Sequence, residues 1–134
     1  MRIRLSPKLS RFVLTGGSSA LLNLVVLHAL VSMVGLSEGW EQDLANALAL
    51  EAGILYSFLL FRYWVWAAPA VKRPFWRELA TFHGAVAVAS IVRMFFFAVL
   101  RAAGLPYLLN AAVGIGLVAV LSYFLYERYV FAHR

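Results

Sequence analysis

The chain contains no cysteine, which excludes disulfides and thiolate metal sites. Charge is scarce as well: 13% of the 134 residues are charged, against 63% hydrophobic. A soluble domain of this size cannot cover its surface with so little polar material. Acids are the scarcest class, six against twelve basic residues, for a net charge of +6. A basic chain suits nucleic acid in principle, but one with mean hydropathy +0.83 suits lipid headgroups and lipid phosphates better. An integral membrane protein is the expectation.

The apolar residues fall into four long runs. Phe12 to Val34 and Leu105 to Tyr126 carry no charge, Leu44 to Phe61 carries only Glu51, and Leu79 to Leu100 only Arg93. About 20 apolar residues cross a bilayer core as helix. The runs therefore predict four transmembrane helices over roughly 12–34, 44–64, 79–100 and 105–127. A cleaved signal peptide is the alternative for the first, since Arg2, Arg4, Lys8 and Arg11 precede it. Its apolar part exceeds a signal h-region of about 7–15 residues, and no A-x-A-like site follows, so a retained span is expected. Ten of the twelve basic residues flank the spans on one side, while the loop GLSEGWEQD holds three acids and no base. The positive-inside rule then places both termini and the 62–78 loop in the cytoplasm of a cytoplasmic-membrane protein. All four tryptophans (Trp40, Trp64, Trp66, Trp76) fall at the expected interfaces.

The helix endings repeat. SFLLFRYWVW (57–66) lies over SYFLYERYVF (122–131) at an offset of 65, with Ser57/Ser122, Leu60/Leu125 and Val65/Val130 identical. Four further positions pair aromatic with aromatic. Gly35-Leu36 is echoed by Gly104-Leu105, and Asn46 by Asn110, with small shifts in register. These echoes predict an all-α membrane protein built as two related helical hairpins in tandem, 11–66 and 77–131, within one domain.

Polar residues inside the spans are the candidate path. Glu51, Arg93 and His28 come out at a similar depth at about 1.5 Å per residue. An isolated charge near the bilayer centre costs at least about 2.5 kcal/mol. The three either line a polar cavity, with Arg93 offered to a phosphate or sugar, or form a structural ion pair. Asn23 near mid-span needs a partner, helix or substrate. The Gly16/Ala20 pair on span one is read as close helix packing, and Asn46 and Asn110 as helix-start caps. His83 is read as an interhelical bond or, alternatively, a proton relay. Around the cytoplasmic loop, Lys72, Arg73, Trp76 and Arg77 read as contacts to anionic lipid or to a partner, or as topology determinants alone. No nucleophile triad, phosphate-cradling glycine loop or metal cluster is recognisable, so no catalytic site and no cofactor are expected.

Arg11-Phe12, Gly16-Gly17, Asn23, Ala45-Asn46 and above all the SFLLFRYWVW ending resemble the GtrA-like family, over about 11–131. Phe61 stands where that family usually has Asn, and Tyr126-Glu127 depart from the pattern in the second ending. The resemblance implies translocation of a polyprenyl-phosphate-linked sugar for cell-surface polysaccharide synthesis. The alternative it implies is a non-catalytic accessory subunit of a membrane glycosyltransferase. It adds a phosphate partner for the interface arginines Arg11, Arg62 and Arg128, whose planar forks bind phosphate oxygens bidentately. Two hairpins leave little room for a lipid-sugar path, so a homodimer or a complex with a glycosyltransferase is expected. A small proton-coupled exporter fits less well, because span one has no acid.

Overall fold

The computed structural model describes residues 6–67 and 73–131 and, at Tyr107, the backbone alone. Helix α1 (Pro7–Ser32) and helix α2 (Trp40–Leu60) form one compact unit, and α3 (Phe75–Ala102) and α4 (Tyr107–Leu125) a second. Each second helix runs on into a single wide π-helical turn, Phe61–Val65 after α2 and Tyr126–Val130 after α4. All four helices are long and apolar enough to cross a membrane, as their apolar runs predict.

The first three helices start four or five residues earlier than their apolar runs. Ser6 accepts a hydrogen bond from the Leu9 amide through its Oγ at 3.2 Å, and Pro7 occupies the first turn. That pairing satisfies an orphan amide and presets the backbone, so Lys8 and Arg11 lie inside α1. Helix α3 opens differently: Pro74 itself is the residue before Phe75, and no side chain caps the first turn. Gly35 and Gly104 end α1 and α3 with φ +87° and +88°. This left-handed step is the ordinary glycine stop after a helix.

In hairpin one the buried stripe of α2 and its π turn repeats every fourth residue: Ala45, Ala49, Gly53, Ser57, Phe61 and Val65. Small residues let α1 approach closely. Ser19 Oγ donates to the Gly53 carbonyl at 2.8 Å, and a Cβ on Gly53 would meet that oxygen at 3.2 Å. The Tyr56 hydroxyl donates to Ser18 Oγ at 3.1 Å. The facing positions on α1 are Phe12, Thr15 and Ser19; Gly16 and Ala20 are exposed. The tight approach therefore belongs to α2, and a Cβ on Gly16 would meet nothing within 4 Å among the described residues.

In hairpin two Asn110, Gly114, Ser122, Tyr126 and Val130 are buried, each 65 residues after its counterpart above. A spacing of four runs ahead of the 3.6-residue helix by about 40° per step. A π turn takes up an extra residue and returns the stripe to its facing helix. It is closed by Trp66 N–H to Phe61 O at 2.8 Å, and by Phe131 N–H to Tyr126 O at 2.7 Å. On the first helix of each pair, Phe12 stacks on Phe61 (5.4 Å) and meets Trp66 edge-on (6.2 Å), while Phe82 contacts Tyr126 (4.8 Å) and Phe131 (6.3 Å). Phe12 and Phe82 are thus counterparts at an offset of 70, against 65 on the second helices. Three of the five residues are the shorter turn of hairpin two, 103–106 against 33–39, and two are the later start of α4.

Candidate functional site

The open end of hairpin one, opposite its 33–39 turn, concentrates cations and aromatic rings. The π turn brings Arg62 to a buried position, 7% exposed, with its guanidinium carbon 5.6 Å from the Tyr63 ring centre. From α1, the first turns supply Lys8, with Nζ 5.2 Å from the Trp66 ring centre. They also supply Arg11, with its guanidinium carbon 5.6 Å from that of Trp64. Cations held over aromatic faces keep their charge while part of their hydration is replaced by ring electrons. Phe12, Phe61 and Trp66 pack as a mutually touching trio beneath them.

Arg11 also has a structural task. Its Nη1 donates to the Trp64 carbonyl at 3.2 Å, one of the carbonyls that the ending helix leaves without an amide. Arg73 does the same in hairpin two, donating from Nη1 to the Tyr129 carbonyl at 3.0 Å; Tyr129 is the counterpart of Trp64. Each contact uses one of five guanidinium N–H groups, so anion binding and capping are compatible in Arg11, which is exposed. Arg128 is exposed, and the residue that takes the inward place of Arg62 is half-buried Glu127. The two open ends therefore present different charge. Trp76 and Arg77 stand exposed at the start of α3, with the Phe75 ring edge-on to Trp76 at 5.3 Å. Lys72 lies outside the described residues.

The path candidates lie on three helices, Asn23 and His28 on α1, Glu51 on α2 and Arg93 on α3. Glu51 sits off the buried stripe of α2 and is exposed, so it does not share the surroundings of Arg62. Asn23 is half-buried on the α1 face that packs near Gly53. Arg93 is exposed mid-way along α3. Neither Asn23 nor Arg93 has a hydrogen-bond partner among the described residues. They hold one position in the two hairpins, since 93 − 23 equals the offset of 70 that links Phe12 and Phe82. His28 lies near the turn end of hairpin one, where its Nδ1 is 3.4 Å from Ser32 Oγ. His83 Nδ1 is 3.0 Å from the carbonyl of Leu79 on its own helix, an intrahelical contact. Asn110 is no helix-start cap. It is 1% exposed and donates from Nδ2 to the Phe97 carbonyl at 2.9 Å, joining α4 to α3.

The sequence reading has Lys8 only as a flanking base and does not foresee the packing of Phe12, Phe61 and Trp66 as a trio. The Ser6-Pro7 helix start was the available signal for Lys8, since it makes residues 8 and 11 helical neighbours on one face. The chain's similarity extends over nearly its whole length: a family model described as GtrA/DPMS, transmembrane domain, matches residues 11–131. No curated protein matches the chain.

Proposed function

Since the chain belongs to the GtrA/DPMS transmembrane-domain family and is a multi-pass membrane protein, we propose that it translocates a polyprenyl-phosphate-linked sugar across the cytoplasmic membrane. The product would serve the synthesis or modification of a surface polysaccharide. The observation that carries this reading is the open end of hairpin one, where Lys8, Arg11 and buried Arg62 meet Tyr63, Trp64 and Trp66. Such a set matches a lipid phosphate, which brings negative charge to the membrane interface on an apolar tail. Guanidinium forks take phosphate oxygens in pairs, and the rings sit at headgroup level. Both termini and the connection between the hairpins are taken as cytoplasmic, on the strength of the basic flanks. Arg128 is the corresponding, exposed anion contact of hairpin two. Asn23, His28, Glu51 and Arg93 are the polar groups proposed to accompany the headgroup. The chain is proposed to lack an active site of its own, and to work as a homodimer or beside a membrane glycosyltransferase.

A second reading, the accessory subunit of a glycosyltransferase, is favoured by one observation. Trp76 is 77% exposed beside Arg77 at the start of α3, a surface suited to a partner as well as to anionic lipid. Reconstitution separates the two readings. Liposomes carrying the protein and a labelled prenyl-phosphate sugar are probed with a membrane-impermeant reagent. Translocation faster than in protein-free vesicles supports the first reading. An unchanged rate, together with co-purification of a glycosyltransferase, supports the second.

A further inference from the structure

At the turn end of hairpin one, α1 and α2 part to form an open cleft of about 570 Å³ lined by Leu24, Leu27, His28, Val31, Gln42, Asp43 and Asn46. That volume lies within the range of about 300–1,000 Å³ typical of small-molecule sites. Its composition is divided: Leu24, Leu27 and Val31 make an aliphatic wall on α1, while an imidazole, a carboxylate and two carboxamides supply donors and acceptors from both helices.

Helix stability explains only part of this set. Asp43, like Glu41, lies in the first turn of α2, where a negative charge is favourable beside the helix dipole. That does not call for Asn46 or Gln42, nor for His28 on the other helix. The second hairpin shows that the architecture does without them. With the offsets established above, 70 on the first helix and 65 on the second, His28, Asp43 and Asn46 correspond to Ala98, Leu108 and Ala111. The rest of the lining differs too: Leu24, Leu27, Val31 and Gln42 correspond to Met94, Phe97, Arg101 and Tyr107, across a connection three residues shorter. The carboxylate, the imidazole and the two carboxamides are therefore particular to hairpin one.

We infer that this cleft is a binding site for the sugar headgroup of the transported lipid, with Asp43, Asn46, Gln42 and His28 as its hydrogen-bonding residues. The inference rests on the translocation reading, which places the turn end outside. A pyranose offers adjacent hydroxyls that donate to a carboxylate or amide oxygen and accept from an amide or imidazole N–H. Its C–H faces pack on aliphatic walls. Asp43 supplies the strongest acceptor, because hydrogen bonds to an ionised group are roughly twice as strong as neutral ones. Asp43 lies 19 residues along α2 from Arg62, about 28 Å of helix. The phosphate site and the sugar site are therefore successive stations for one lipid, at opposite ends of hairpin one, and are not filled together by one molecule.

The test uses the full chain in nanodiscs, with short-chain prenyl phosphates bearing glucose, galactose, mannose or N-acetylglucosamine, and the bare prenyl phosphate for comparison. Methyl NMR shifts of Leu24, Leu27 and Val31 report on the cleft, and titration gives the Kd. At least one glycosylated probe is expected to move the Leu27 and Val31 methyls, and the bare probe to leave them in place. Asp43→Ala or Asn46→Ala should weaken that response by about tenfold, the equivalent of one good hydrogen bond, with helicity by circular dichroism unchanged. Should a variant fail to fold, the wild-type shift pattern alone decides. If glycosylated and bare probes bind alike without moving the cleft methyls, or if Asp43→Ala/Asn46→Ala leaves the response intact, the sugar site is overturned while the phosphate reading stands. If no prenyl phosphate binds at all, both fall.

Discussion

Arg62 and Glu127 hold the same place in two hairpins and carry opposite charge. A guanidinium that is 7% exposed is costly to maintain and is seldom kept for stability alone. Its position in the FRYWV segment marks it as an interface residue from the sequence alone, but its burial was not legible there. Helical arithmetic at 3.6 residues per turn puts it on the face of Glu51; the π turn, which no local residue preference announces, puts it with Phe61 and Val65 instead. Gly53 is a second case in which one residue decides the geometry. A side chain there must displace Ser19, whose hydroxyl bonds the Gly53 carbonyl. Gly53→Leu is expected to cost about 1–3 kcal/mol by overpacking, read as a lowered unfolding midpoint in detergent, and Gly16→Ala to cost little. An equal loss at both positions would contradict the assignment of the close approach to α2.

At the level of elements, the four apolar runs located the four helices to within a few residues at most ends. The starts of α1, α2 and α3 were missed because hydropathy does not register the Ser6-Pro7 and Pro74 openings or the acidic first turn of α2, through which the helices extend into polar and charged residues. The turn ends carry the other difference. Asn46 and Asn110 resemble each other as letters, yet Asn46 faces a cleft while Asn110 ties α4 to the Phe97 carbonyl. Which of two neighbouring positions faces inward depends on the exact offset, 65 against 64, and sequence echoes alone do not resolve a shift of one. Replacing Asn110 by Ala should weaken hairpin two by about 0.6–1.7 kcal/mol, the range of interhelical hydrogen bonds in membranes. Reversible unfolding in bicelles measures this; an unchanged midpoint would remove that bond from the packing of the hairpin.

For the whole molecule, the membrane class and the four-helix plan follow from scarce charge and long apolar runs, and the family follows from a match over residues 11–131. Sidedness rests on the distribution of bases. The absence of cysteine makes it directly measurable. Ser37→Cys, in the turn of hairpin one, should react with an impermeant maleimide in intact cells, and Ser10→Cys only after permeabilisation. The reverse pattern would invert the topology and with it the direction in which the two ends of hairpin one are used.

The phosphate-handling role of hairpin one is tested most directly by the translocation rate of a labelled prenyl-phosphate sugar in liposomes containing Arg62→Gln or Arg128→Gln. Arg62→Gln should lower the protein-dependent rate by about 10- to 150-fold, as expected when a charged, bidentate contact worth about 1.5–3 kcal/mol is lost. Arg128→Gln, at an exposed position, should retain most of the wild-type rate. A wild-type rate in Arg62→Gln protein that still inserts as four helices would contradict the role assigned to the basic, aromatic end of hairpin one.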